Sequence, residues 1–196
     1  MTQFRKSLFP LFAPDETQLA MSRADIEQLL AEAKERALTF GQIGSTEWRV
    51  GEYGIQIIWI ISQRVEEQTG RRTPPEQILK FIEDALKDYN FIPRLQTNPL
   101  ARLIDLRPYR REDDPPDFAK GWALRHALDA AINAIEGSAP QPNPGSLRVE
   151  RYLSHRYRAR LKHYQIAMKT GWSERNLDRL RRELLERMAG ILFAPR

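Results

Sequence analysis

Residues 164–180, YQIAMKTGWSERNLDRL, constrain the fold of this chain more than any other stretch. Ile166 and Ala167 fall in a short helical segment. Gly171 stands four residues after Ala167, where two helices must turn sharply, and a left-handed backbone there is cheap only for glycine. Ser173 follows where a hydroxyl caps the next helix. Leu177 and Leu180 then recur at helical spacing, on the side that packs back onto Ile166 and Ala167. In this register the residues describe two helices crossing at a steep angle, with the outer face of the second left open.

The rest of the chain has the same helical period, so the expected class is all-α. Ser22 with Asp25 makes a capping-box-like start, and Ile26, Leu29, Leu30, Ala33 and Ala37 form one stripe before Gly41. The Ile-rich segment after Trp48 has strand propensity, but its length and lack of polar alternation favour a buried helix over about residues 54–68. Thr73, Pro74 and Glu76 give a helix start: cap, proline at the first helical position and a glutamate reaching back. Ile78, Leu79, Ile82, Ala85, Leu86 and Tyr89 then line one face. Asn98-Pro99 starts a short helix with Leu100, Leu103 and Ile104. RPYRREDDPPD is expected to be a loop with nothing to bury. A helix over about residues 117–136 carries Leu124, Leu128, Ala131, Ile132 and Ile135 on one side. GSAPQPNPGS, residues 137–146, is a loop or linker, and a helix over about residues 147–160 leads into the motif.

Composition sets bounds. At 196 residues, 41% hydrophobic and 29% charged, the chain has enough apolar material for one domain or two small ones. The absence of cysteine removes disulfides and thiolate metal sites and makes a cytoplasmic location the expectation. The apolar run at residues 57–61 is too short to span a bilayer, so no membrane partner is expected. Pro10 and Pro14 break the apolar start, which reads as a docking arm.

Charge is unevenly placed. From Leu147 onward there are thirteen Lys and Arg against five Asp and Glu, a net of +8; with +5 for the whole chain, residues 1–146 hold −3. The second helix of the motif carries Arg175, Asn176, Arg179, Arg181 and Arg182 on one face, and Leu184, Leu185, Met188 and Leu192 on the other. A basic face on the second helix of such a hairpin suits double-stranded DNA. Arg175, Asn176 and Arg179, in its first two turns, are placed to reach base edges, because arginine can take guanine and asparagine can take adenine by paired hydrogen bonds. Lys162, Lys169 and Arg182 would hold phosphates, and Ser173 would head the reading helix.

At these residues the chain resembles known families. RYLSHRYRARLKHYQIAMKTGWSERNLDRLRRELLERMAGIL is similar to region 4 of bacterial sigma factors and related response-regulator domains. It also resembles the helix-turn-helix modules in front of bacterial NACHT/NB-ARC-type signalling ATPases, in which segments like NPLARLIDL and GWALRHALDAAINAI precede the motif. The resemblance covers about residues 98–192 and implies a DNA-binding fold in a bacterial transcription regulator. Nothing before Asn98 resembles sigma region 2 and no ATPase segment follows, so the expectation is a stand-alone chain or a fragment.

Catalytic constellations are missing from the sequence. There is no HExxH, GxSxG or GxxxxGK[ST] pattern. His126 and Asp129 are spaced to pair on a helix, and His155 and His163 lack a nearby carboxylate set for a metal. The acidic run at residues 112–114 and the Arg107, Arg110, Arg111 cluster largely cancel each other. Trp172 can wedge against sugar-phosphate or seal the hairpin core, while Tyr152 and Tyr157 read as packing residues. No enzyme activity, metal or cofactor is expected.

The expected organisation is an N-terminal helical bundle, residues 1–97, carrying regulation or a partner surface, and a helix-turn-helix domain, residues 98–196. The expected function is DNA-binding transcription regulation. The alternative is a non-catalytic adaptor that uses the motif as a scaffold toward RNA polymerase or a signalling ATPase. Residues 57–61 are either core or an oligomer interface, and the oligomeric state stays open.

Overall fold

The computed structural model describes residues 53–137 and 151–194, together with three isolated helical, exposed positions at Ala24, Gln28 and Ala31. The docking arm, most of the helix expected after Ser22 and most of the proline-rich linker lie outside the described residues. Every regular element described is helical. The elements are α1 (Tyr53–Thr69), α2 (Pro75–Lys87), α3 (Ile92–Thr97), α4 (Leu100–Leu103), α5 (Ala119–Gly137), α6 (His163–Thr170) and α7 (Glu174–Phe193). Two 3₁₀ turns, Arg107–Tyr109 and Pro116–Phe118, precede α5, and a π-helical turn, Ser154–Arg158, precedes α6.

The Ile-rich segment is a helix. Ile57, Ile58, Ile61 and Val65 of α1 are buried at helical spacing, while Trp59 points outward. Burial on one stripe outweighs the strand propensity of isoleucine. Gly70, at φ 66, closes α1 with its N–H on the Glu66 carbonyl. α2 begins one residue later than expected: Pro75 is its first residue, Pro74 takes the cap position, and no side chain caps it. Pro75 lacks only an N–H that would have had no helical partner. The Thr73 carbonyl accepts the Ser62 hydroxyl of α1, and Glu76 reaches to Arg182 of α7 rather than back along its own chain.

The segment between α4 and α5 buries more than its composition suggests. Its turns fold it onto α5, with Leu106 buried and Tyr109 packed against the core. Asp114 is nearly enclosed beside His126 at 3.0 Å, so the expected pairing of His126 with Asp129 is not made. Asp129 instead accepts from Tyr89, just after α2, and from Arg158 Nε–H (3.0 Å) of the π-helical turn. α3 lies tight on α5. Gly121 donates its N–H to Gln96 Oε1 (2.7 Å), and a Cβ there would stand 2.6 Å from the Ile92 carbonyl oxygen.

α7 is the central helix. α1, α2, α5 and α6 all pack on it, and one apolar core runs from Ile57 of α1 to Phe193 of α7. Helices on both sides of the division expected at residues 97/98 contribute to this core. The expectation of one apolar and one basic face along all of α7 needs correction. Beyond Arg182 the helix is enclosed, with Glu183, Glu186 and Arg187 buried among Leu184, Leu185 and Met188. The buried charges are paired: Arg187 Nη2 lies 2.8 Å from Glu183. Burial pulls the Arg187 guanidinium below its ordinary value, and Glu183 opposes that shift.

Candidate nucleic-acid interface

The hairpin is built by local signals. Gln165 turns back to accept the Lys162 N–H (2.8 Å) at the start of α6. At its end Gly171 takes φ 71 and gives its N–H to the Ala167 carbonyl (2.9 Å). Nothing lies within 4 Å of where a Gly171 Cβ would sit, so the backbone, not space, demands glycine there. Ser173 caps α7, its hydroxyl oxygen accepting the Asn176 N–H (3.2 Å). Ile166, Leu177 and Leu180 are buried together, with Ala167 packed against them. Trp172 is half-buried against the same core, and Tyr152 and Tyr157 are buried.

The basic residues fall into two groups. Lys162, Lys169, Arg175 and Arg179 are exposed, as are Asn176 and Ser173. Among the described residues, no carboxylate pairs with any of those four cations. The second group is neutralised within the fold. Arg182 shares its guanidinium between Glu76 of α2 (3.0 Å) and Glu186 (3.1 Å). Arg181 is held by Glu83 (3.3 Å) and Asp178 (3.5 Å), and Arg158 by Asp129. Arg175, Arg179 and Arg182 share one stripe at i, i+4 and i+7. The first turn of α2 meets that stripe at Arg182. The open part of α7 is thus its first nine residues, roughly 13 Å of helix at 1.5 Å per residue. The major groove is about 12 Å wide.

Two features escaped sequence reading. Arg160, exposed and two residues before Lys162, sits at φ 56, a left-handed conformation that a side chain tolerates poorly. Nothing in its neighbours marks it. Tyr164 and Met168 of α6 are exposed, Met168 at 79%. Their spacing of four puts them on one face of α6, which hydrophobicity alone would have assigned to the core.

Among the described residues no three His, Cys, Asp or Glu side chains cluster as metal ligands. His163 is engaged by Tyr152 and α7 instead. Arg107 is occupied by Asp105, whose carboxyl its hydrogen bonds hold down at about 2. No described helix is long and apolar enough to cross a membrane. No protein family model, curated protein or solved structure matches the chain.

Proposed function

We propose that this chain binds double-stranded DNA as a transcription regulator, with the first nine residues of α7 as its reading segment. One observation carries the reading: Arg175 and Arg179 project from the open end of a glycine-turned, serine-capped helical hairpin while the arginines farther along α7 are paired with carboxylates. Lys162 and Lys169 flank that end and supply backbone contacts. Arg182 serves as a phosphate contact only after exchanging Glu76 for the phosphate. A second reading, an adaptor toward another protein such as RNA polymerase, is favoured by the exposed Tyr164 and Met168, since apolar residues at a rim suit protein contacts.

Electrophoretic mobility shifts of the full chain on mixed duplex fragments over a salt series separate the two. With about four to six phosphates neutralised, the log–log slope of affinity against salt is expected near −4 to −5. Absence of any shift at about 50 mM salt, where counterion release favours binding most, removes the DNA reading.

A further inference from the structure

His163, the first residue of α6, links the first turn of α7 to the segment that precedes the hairpin. Its Nε2 lies 3.2 Å from the backbone carbonyl oxygen of Glu174, in the first turn of α7, and 3.6 Å from Asp178 Oδ1. Its Nδ1 lies 3.1 Å from the Tyr152 hydroxyl, and the two rings meet edge to face. A carbonyl only accepts, so Nε2 must carry a proton. In the neutral ring Nδ1 is then bare and accepts the Tyr152 O–H. Burial pushes the Tyr152 hydroxyl up to about 12, so it keeps its proton to donate. Every polar atom of the neutral ring is satisfied in this arrangement.

The charged groups around the site are Asp178 and Arg181 of α7, Glu83 of α2 and Arg156 of the π-helical turn. Asp178 already shares Arg181.

We propose that His163 is the positioning residue of the reading segment: its contacts with the Glu174 carbonyl and the Tyr152 hydroxyl anchor the first turn of α7 to the buried Tyr152. This rests on the DNA reading above. The side chains it would align, Arg175 and Arg179, start one and five residues after the carbonyl it holds. A lost alignment removes sequence discrimination while leaving phosphate attraction in place.

The test uses the full chain and two readouts. Imidazole nitrogen NMR reports the ring without DNA: the neutral Nε2–H form is expected, with a Nδ1 signal that moves in Tyr152→Phe. Binding is measured on a duplex selected from a random library and on its shuffled counterpart. At about pH 7.5 the selected-to-shuffled affinity ratio should fall about tenfold in His163→Ala and in Tyr152→Phe, the size of one lost base contact. His163→Gln, which can still donate to the Glu174 carbonyl, should recover part of it. If Tyr152→Phe fails to fold, the two His163 variants carry the test. An Nδ1–H ring, or an unchanged ratio in both His163 variants, overturns the proposal. Wild type that binds neither duplex overturns the DNA reading and the positioning role with it, while the NMR result still reports whether the anchor exists.

Discussion

At the scale of single residues, two backbone positions set the hairpin and they have opposite costs. Gly171 is the cheap solution to a left-handed turn, so Gly171→Ala should lose about 1 kcal/mol even though no atom blocks its Cβ. Arg160 is the expensive solution. Arg160→Gly should raise stability by about 0.5–1 kcal/mol, because the native φ suits glycine. If Arg160 is kept for phosphate contact, the same change lowers DNA affinity. Urea unfolding and duplex binding on both variants check this pair, and a glycine at 160 that destabilises removes the strain argument. Gly171, Ser173 and Leu177 were legible in the sequence because a cap, a turn and a helical repeat are short-range features. Arg160 was not, since a left-handed arginine has no local signature. The Thr73 cap was misplaced by one residue because two consecutive prolines each suit a helix start.

Between elements, the decisive contacts join residues far apart in sequence, which is why periodicity found the helices but not their partners. Glu76 and Arg182 are such a pair, as are Asp129 and Arg158, and Glu136 and Ser154. The first marks where the open part of α7 stops. Glu76→Gln should cost within about 0.5 kcal/mol, as exposed ion pairs do. It should also release Arg182 and tighten DNA binding; unchanged or weaker binding would mean that Arg182 takes no part. The third gives a pH signature. Burial raises the Glu136 carboxyl above its ordinary value, although Ser154 donates both its N–H and its hydroxyl to it. The folded state then holds its proton to higher pH than the unfolded state. Its stability contribution is full below the unfolded value and is lost as pH rises through the folded one. Glu136→Gln should remove that loss, so the variant should gain on wild type as pH rises from about 4 to about 7. Denaturant midpoints across that range test it, and a variant that instead loses ground with rising pH contradicts the sign.

For the whole molecule, the central fact is that α7 is both the core helix and the candidate reading helix. Its enclosed half is held by α1 and α2, so the N-terminal helices support the open end. The sequence showed the apolar stripe of each helix and the all-α class, but not that the second half of one helix would be enclosed. That depends on four partners, and the buried Glu183, Glu186 and Arg187 read as surface residues in any one-dimensional pattern. A fragment of residues 98–196 would uncover Leu184, Leu185 and Met188. It should melt at a lower temperature and less cooperatively than the whole chain by circular dichroism. A fragment as stable as the whole chain would mean that the two halves stand independently, as a division at 97/98 expects.

The most direct test of the account is made on Arg175→Ala and Arg179→Ala, with melting and duplex binding measured on the same samples. Both side chains are exposed and unpaired among the described residues, so stability should stay within about 0.5 kcal/mol of wild type. Binding to a selected duplex should weaken by about 1–3 kcal/mol for an arginine that reads a base, with preference relaxed at one position. Variants that both melt and bind as wild type does would contradict the claim that the open end of α7 reads DNA.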